Sequence, residues 1–395
     1  MTESPAAHNR DGAVSAVTGR LLVDGHLVHG AVVIEGGRIV EVRTGGDGGD
    51  GTIGRLPSPR LDAEIVSPGL VDLQVNGAFG LEVGGDPAAL RALAARLPST
   101  GVTTFLPTAV SASGADYRAV AAAFAAARGA AGARMPGLHL EGPLLAPARA
   151  GAHRTDAIAV APATLDDVLE DLLAASAVRL VTLAPERPGA LALIARLRDA
   201  GVVVSVGHTD ATFEQTVAAI DAGATLATHL YNAMSPLHHR APGAVGAVLA
   251  DDRVTAMLIA DGVHAHPAAL NVALRAKGPG RVALVSDAMA AAGAPRGRYA
   301  LAGAEVTSDG QTARLADGTL AGSTLTLDRA VRMMAGLGGA RLEDAFAMAS
   351  TVPAAALGLA DLGRIAVGQA ADLALWSSAM EVTATIIGGT VAYRR

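Results

Sequence analysis

No cysteine occurs anywhere in the 395 residues. Disulfides and thiolate metal sites are thereby excluded, so any metal must be held by imidazole and carboxylate. Aromatic residues make up only 3% of the chain and the formal net charge is −6. A basic surface interleaved with stacking rings is therefore not expected, which argues against general nucleic-acid binding. An anionic ligand would need a local cationic pocket instead. Although 51% of the residues are hydrophobic, no run of about eighteen is free of breakers and charges, so no membrane-spanning helix is expected. The stretch from Met1 to Gly12 has no apolar core of the secretory type, which makes the cytoplasm the expected compartment. The length suffices for one large core with a small second unit.

Both ends of the chain read as β-structure. Residues 1–13 read as a disordered tail. Short apolar segments then alternate with Asp24-Gly25 and Gly36-Gly37, the residues that tight hairpin turns demand. Gly45 to Gly54 is a Gly/Asp-rich loop. Too few strands precede Pro68 to close a core. Similar hairpin-like segments return after Gly363, so a small β-domain assembled from both termini is expected, with the main domain inserted between them.

The interior alternates strand and helix. Strands are predicted at 70–75, 102–108, 137–141, 179–183, 202–207, 224–229, 255–260 and 282–286. Helices are predicted at 87–97, 114–128, 164–175, 189–199, 212–222 and 266–276. Eight such strands favour a closed barrel over an open sheet, and the length fits a barrel of ~250 residues with insertions. The expected fold class is α/β: a (β/α)8 TIM-like barrel over residues 68–362, with a small β-sandwich domain built from residues 1–67 and 363–395. A Gly/Asp-punctuated excursion at 297–320 is expected to lie over the barrel mouth as a hairpin. Helices near 323–335 and 341–350 close the barrel. No sequence repeat of roughly 20–50 residues is evident.

Four predicted strands end in residues of one chemical kind. His139-Leu140-Glu141-Gly142-Pro143 delivers a carboxylate and then breaks. The segments 202–208, 224–229 and 282–287 end in His208, His229 and Asp287. In a barrel of this kind the chemistry gathers at the C-terminal ends of the strands. Each of the four can bind a metal or move a proton.

The ordered set Pro68-Gly-Leu-Val-Asp-Leu-Gln-Val-Asn-Gly, His139-Leu-Glu-Gly-Pro, Gly151-Ala-His153, Gly207-His208-Thr, His229-Leu-Tyr-Asn-Ala-Met234, Asp261-Gly-Val-His264, Ser286-Asp287-Ala and Ala321-Gly-Ser resembles the amidohydrolase superfamily. Within it, the resemblance is to the N-acetylglucosamine-6-phosphate deacetylases. Most of the superfamily ends the first strand with His-x-His, two ligands of a first metal. Here Gln74 and Asn76 stand in those places, and amides ligate metals poorly. The resemblance therefore implies one divalent metal ion per subunit, held by Glu141, His208 and His229 with one position open. Zinc is the default ion, and iron(II) or cobalt suits the same donors.

The resemblance further implies that Asp287 moves the proton in amide hydrolysis and that His153 donates to the substrate carbonyl. It gives sugar-phosphate contacts to Asn232, Ala233, Arg240 and His264, with one of them reaching across a homodimer. Gln74, Ala152, Leu320, Ala321 and Gly322 would line the sugar pocket. His139 shares strand parity with Glu141 and is expected to be a core group. The implied reaction is release of acetate from N-acetyl-D-glucosamine 6-phosphate. The partner is thus a phosphorylated N-acetyl amino sugar, with no nucleic acid and no membrane. Two other readings stand beside it: the galacto epimer or another N-acyl amine as substrate, and a non-catalytic sugar-phosphate-binding barrel.

Overall fold

A computed structural model describes residues 12–45, 54–158, 169–175 and 177–395. The expected N-terminal tail and the Gly/Asp-rich loop fall almost wholly outside the described residues. The helix expected at 164–175 lies partly outside them.

The two ends of the chain build one mixed sheet. Its seven strands run, in spatial order, Thr390–Arg394, Val382–Ile387, Leu373–Trp376, Arg60–Pro68, Ala16–Val23, His26–Glu35 and Arg38–Thr44. The C-terminal half joins the N-terminal half where Leu373–Trp376 pairs antiparallel with Arg60–Pro68. Two-residue turns at Asp24-Gly25 and Gly36-Gly37 close the first hairpins. All four of these residues have positive φ, as hairpin turns of this length require. The sheet curls until its halves meet: Gly37 O accepts from Ala371 N at 2.9 Å, and Gly389 O accepts from Val14 N at 2.9 Å. Val17, Leu21, Val32, Ile34, Val66, Leu373, Leu375 and Ile386 fill the space enclosed.

The other face of this sheet packs on the barrel. Trp376, the single tryptophan, is fully buried there. Its Nε1 donates to Ser67 Oγ at 2.9 Å and its ring lies 5.1 Å from that of Phe346. The Arg134 guanidinium adds a two-pronged bond to the buried Asp372 carboxylate, at 2.7 and 2.9 Å.

Eight parallel strands form the barrel: Leu70–Val75, Val102–Val110, Leu138–Glu141, Val178–Leu183, Val203–Val206, Leu226–Ala227, Thr255–Leu258 and Val282–Leu284. The first and last meet through a parallel bridge between Val75 and Ala288, and Asn76 N donates to Ala288 O at 2.8 Å. The sixth and eighth strands are shorter than their apolar patterns predict. In both, the backbone turns into the left-handed region at the residue that ends the pattern, His229 (φ 33°) and Asp287 (φ 48°).

Predicted helices appear at Pro87–Arg96, Gly114–Ala127, Ala190–Asp199, Phe213–Ala222 and Pro267–Lys277. Their starts are chemically marked. Asp86 and Ser113 accept from the backbone N–H of Ala88 and Asp116, and Thr212 with Gln215 forms a reciprocal capping box. The helix Gly243–Ala250 was not predicted, nor were the short helices Thr155–Ile158 and Thr351–Ala356. The sequence of Gly243–Ala250 is apolar all round, and Gly243 through Val248 are buried, so no 3.6-residue alternation exposes it. The excursion after the eighth strand is a three-stranded antiparallel sheet, Gly297–Leu301, Ala304–Ser308 and Ala313–Arg314. Helices Leu327–Gly336, Leu342–Ala349 and Thr351–Ala356 follow.

Inside the barrel, beneath the strand ends, a chain of polar groups is fully buried. His139 Nε2 lies 2.7 Å from Thr182 Oγ1, which lies 2.7 Å from Thr228 Oγ1, which lies 2.6 Å from Ser205 Oγ. His139 Nδ1 faces Leu73 O at 3.0 Å. Five strands are thus tied just below the residues they present. Burial holds the His139 imidazole down at about 4, neutral at ordinary pH.

Candidate metal centre and active site

Glu141, His208 and His229 converge at the C-terminal mouth of the barrel, each buried, with one donor atom apiece within 4.8 Å of the others. Glycine makes the approach possible. A Cβ at Gly142 would come within 2.2 Å of Ser111 Oγ, and one at Gly207 within 2.7 Å of Thr182. Gly142 also has φ +92°, so the chain can turn sharply away after Glu141. His208, His229, Ala233 and Asp287 all have positive φ. Non-glycine residues carry that conformation at a cost of ~1–3 kcal/mol each. Four of them at one mouth mark a region whose side chains are aimed by the fold.

The hydrogen bonds orient the donors. His208 Nδ1 lies 2.8 Å from Arg149 O. That carbonyl only accepts, so Nδ1 carries the proton and Nε2 presents a lone pair. His208 Nε2, His229 Nε2 and Glu141 Oε1 lie within 3.0–3.3 Å of one another. Two imidazole nitrogens and a carboxylate oxygen facing each other so closely need a positive charge among them. The trio therefore fits a single divalent cation in its donor types, its burial and its shared focus.

The titration behaviour reflects the same crowding. Burial opposes ionisation of Glu141, yet the imidazoles of His153, His208 and His229 around it hold it well below the usual carboxylate range. Burial, reinforced by the neighbouring His153 ring, pushes His208 down to about 4. Burial also acts against a charged His229, but its contact with Glu141 outweighs this and lifts it above the ordinary value.

The first strand supplies two amides in the places where His-x-His would stand. Gln74 Nε2 donates to Glu141 Oε1 at 2.9 Å and Asn76 Nδ2 to Asp287 Oδ1 at 2.7 Å. Each amide spends its N–H on a carboxylate. Burial pushes the Asp287 carboxyl up to about 6, with the Glu141 charge adding to the effect and His229, His264 and Asn76 opposing it. A carboxyl so poised can hold a proton briefly and release it near neutral pH.

His153 sits beside this group. Its Nδ1 accepts from Ser111 N at 3.1 Å, so in the neutral ring the proton is on Nε2, 3.6 Å from Glu141 Oε2. That N–H is available as a donor. His264 is held by Asp261, whose Oδ2 lies 2.7 Å from Nδ1, so its Nε2 also has a defined direction.

These groups line a cavity of about 500 Å³. Of the residues expected to contact a sugar phosphate, Ala152, Asn232, Ala233, His264, Leu320 and Gly322 are on its wall. Three are not. Gln74 lies beneath Glu141, fully buried, and Ala321 is fully buried behind its neighbours. Arg240 stands on an exposed loop, its Nη1 2.9 Å from His239 Nε2. The cavity also takes Arg149, Arg314 and Thr319, none singled out by the sequence. Arg314 comes from the three-stranded excursion, where no spacing marks it. The excursion thus does reach the barrel mouth. Ser323 N donates to Asp287 O at 2.8 Å, which sets Leu320 and Gly322 at the rim.

The family model described as the amidohydrolase family matches residues 65–392. An N-acetylglucosamine-6-phosphate deacetylase of Bacillus subtilis is 38% identical over 83% of this chain and 85% of its own. An N-acetylgalactosamine-6-phosphate deacetylase of Escherichia coli is 42% identical over 84% of this chain and 88% of its own. Among solved structures, a Mycobacterium smegmatis N-acetyl-D-glucosamine-6-phosphate deacetylase variant in complex with N-acetyl-D-glucosamine-6-phosphate superposes with a TM-score of 0.87 at 36% identity. It spans 96% of this chain and 100% of that one. The Pasteurella multocida N-acetylglucosamine-6-phosphate deacetylase superposes with a TM-score of 0.88 at 28% identity, over 97% and 100% of the two chains.

Proposed function

Because this chain belongs to the amidohydrolase family, we propose that it hydrolyses the N-acetyl group of N-acetyl-D-glucosamine 6-phosphate, giving D-glucosamine 6-phosphate and acetate. The observation that carries the reading is the pairing of a cation-fitting trio, Glu141, His208 and His229, with a carboxyl, Asp287, steered by Asn76 in the same cavity. The trio would hold one divalent ion, with zinc the first choice and iron(II) or cobalt next. Such an ion supplies a Lewis acid that eases deprotonation of water and polarises a carbonyl.

The chain's own groups do the rest. The Asp287 carboxylate takes a proton from the attacking water and later delivers it to the departing nitrogen, since an amine leaves poorly unless protonated. His153 donates its Nε2 proton in a hydrogen bond to the carbonyl oxygen as negative charge grows there. In balance, the water oxygen bonds to the acyl carbon and the carbon–nitrogen bond breaks. One water proton ends on the amine, and the acetic acid formed ionises. Asn232, Ala233 and His264 are the sugar-phosphate contacts in this reading. Arg240, exposed on its own chain, would serve a neighbouring subunit of a homodimer. Residues 68–362 are taken as the catalytic domain, and the cytoplasm as the compartment.

A second reading keeps the chemistry and exchanges the sugar for its galacto epimer. The 42% identity to a relative named for that substrate favours it. The test is acetate release from both epimers by metal-reconstituted protein. Preferred turnover of the gluco compound is expected. Turnover of the galacto compound alone would move the protein to the second reading, and no turnover of either would sink both.

A further inference from the structure

A second cavity, of about 720 Å³, adjoins the one described. Asn76, Val110 and Leu301 form walls of both, so the two spaces meet at the end of the second barrel strand. Asn76 is 3% exposed, and while its Nδ2 is spent on Asp287, its Oδ1 has no partner. A buried acceptor left open at the junction calls for a donor that only a ligand or water brings. Beyond the junction, Leu81, Val83 and Val120 supply apolar wall, and four carboxylates, Glu82, Asp86, Asp116 and Asp156, line it beside one guanidinium, Arg154, which pairs with Asp156.

Barrel geometry says what arrives there. In a ring of eight strands, the sixth and seventh lie opposite the second and third. Asn232, Ala233 and His264 follow the sixth and seventh strands and define the sugar-phosphate side. In the hydrolase reading the scissile carbon would lie between Asp287 and His153, which line the first cavity. The acyl group would then project from that carbon away from the nitrogen and the sugar, toward Val110, which lines both cavities. We propose that this cavity is an acyl subsite, so that the enzyme hydrolyses uncharged N-acyl groups longer than acetyl from the same amino-sugar phosphate. The proposal rests on the hydrolase reading above and uses the same bond changes, with the longer carboxylate released in place of acetate. The carboxylate-rich wall disfavours acyl chains that carry their own negative charge.

The test compares kcat/KM of the metal-loaded full chain on the N-acetyl, N-propionyl, N-butyryl, N-hexanoyl and N-succinyl derivatives of glucosamine 6-phosphate. It repeats the series with Gly84→Leu. Gly84 lines the second cavity and not the first, and a Cβ there meets nothing within 4 Å, so the substitution adds its side chain from open space. A closed acetyl pocket would reject one added methylene by roughly 10–200-fold. The open subsite instead keeps the propionyl to hexanoyl series within about tenfold of acetyl and rejects succinyl by about a hundredfold. Gly84→Leu should lower hexanoyl turnover by at least about tenfold while leaving acetyl within about twofold. Loss of propionyl turnover beyond about a hundredfold, with acetyl intact, would overturn the subsite and leave the deacetylase reading standing. Long chains accepted equally by wild type and Gly84→Leu would also overturn it, by placing the acyl group elsewhere. Failure on every compound would overturn the subsite and the hydrolase reading together.

Discussion

The buried Asp72 carboxyl makes stability depend on pH in a direction opposite to that of an ion-paired carboxylate. Asp72 lies inside the barrel on the first strand, 1% exposed, with Oδ1 accepting from Ser286 N at 3.1 Å and Gln74 N at 3.3 Å. Burial pushes it from 3.8 up to about 7, against the pull of its hydrogen bonds to Ser286 and Gln74. The like charge of Asp287 adds to the effect of burial on it. Since the folded state holds this proton more tightly than the unfolded one, the stabilisation is complete below about pH 4 and is lost as pH rises toward 7. A rise of about three pH units is worth ~4 kcal/mol at 1.36 kcal/mol per unit. Asp72→Asn keeps the accepting Oδ1 and removes the titration. Urea unfolding of both proteins at several pH values between 4 and 8 isolates this group in the difference. The variant should gain on the wild type by a few kcal/mol across that range and be the more stable of the two at pH 8. A difference that does not change with pH would refute the reasoning.

Two further outcomes follow from single side chains. Lys277 is the only lysine in the chain. Its buried ammonium donates to Val248 O at 2.9 Å and to Asp251 O, at the end of the helix Gly243–Ala250. Lys277→Met should therefore cost about 1.5–3 kcal/mol in urea unfolding, and an unchanged midpoint would contradict the assignment. Arg240→Ala should raise KM for the phosphorylated sugar about tenfold or more while sparing an unphosphorylated analogue, because Arg grips phosphate with two donors. Equal effects on both compounds would remove Arg240 from phosphate binding.

Much of the frame was legible because the barrel repeats one simple signal. A buried parallel strand is an apolar run with a sudden end, and Glu141, His208, His229 and Asp287 each stood at such an end. Hairpins at the termini were marked by Asp24-Gly25 and Gly36-Gly37, whose positive φ the turn requires. The helix Gly243–Ala250 escaped because Gly243 through Val248 are all buried, so its sequence has no polar face to give it a period. The roles of Gln74 and Asn76 were half visible. Their failure as ligands could be read from the amide chemistry, but their bonds to Glu141 and Asp287 join residues 67 and 211 positions apart. Arg314 and Thr319 reach the cavity only because a three-stranded excursion folds back over the mouth, a placement that no local spacing encodes. Arg240, given a phosphate contact by the family resemblance, is exposed on its own chain.

The most direct test of the account is Asp287→Asn, measured for turnover of N-acetylglucosamine 6-phosphate and for bound metal on the same preparation. Asp287 is not one of the trio, and Asn fits beside Asn76 with little change in volume. The account predicts a fall in kcat of about a hundredfold to ten-thousandfold, the usual worth of a positioned proton-transfer group, with metal content unchanged. Near-normal turnover with metal in place would contradict it, because the proton would then be reaching the amine by a route that does not use Asp287.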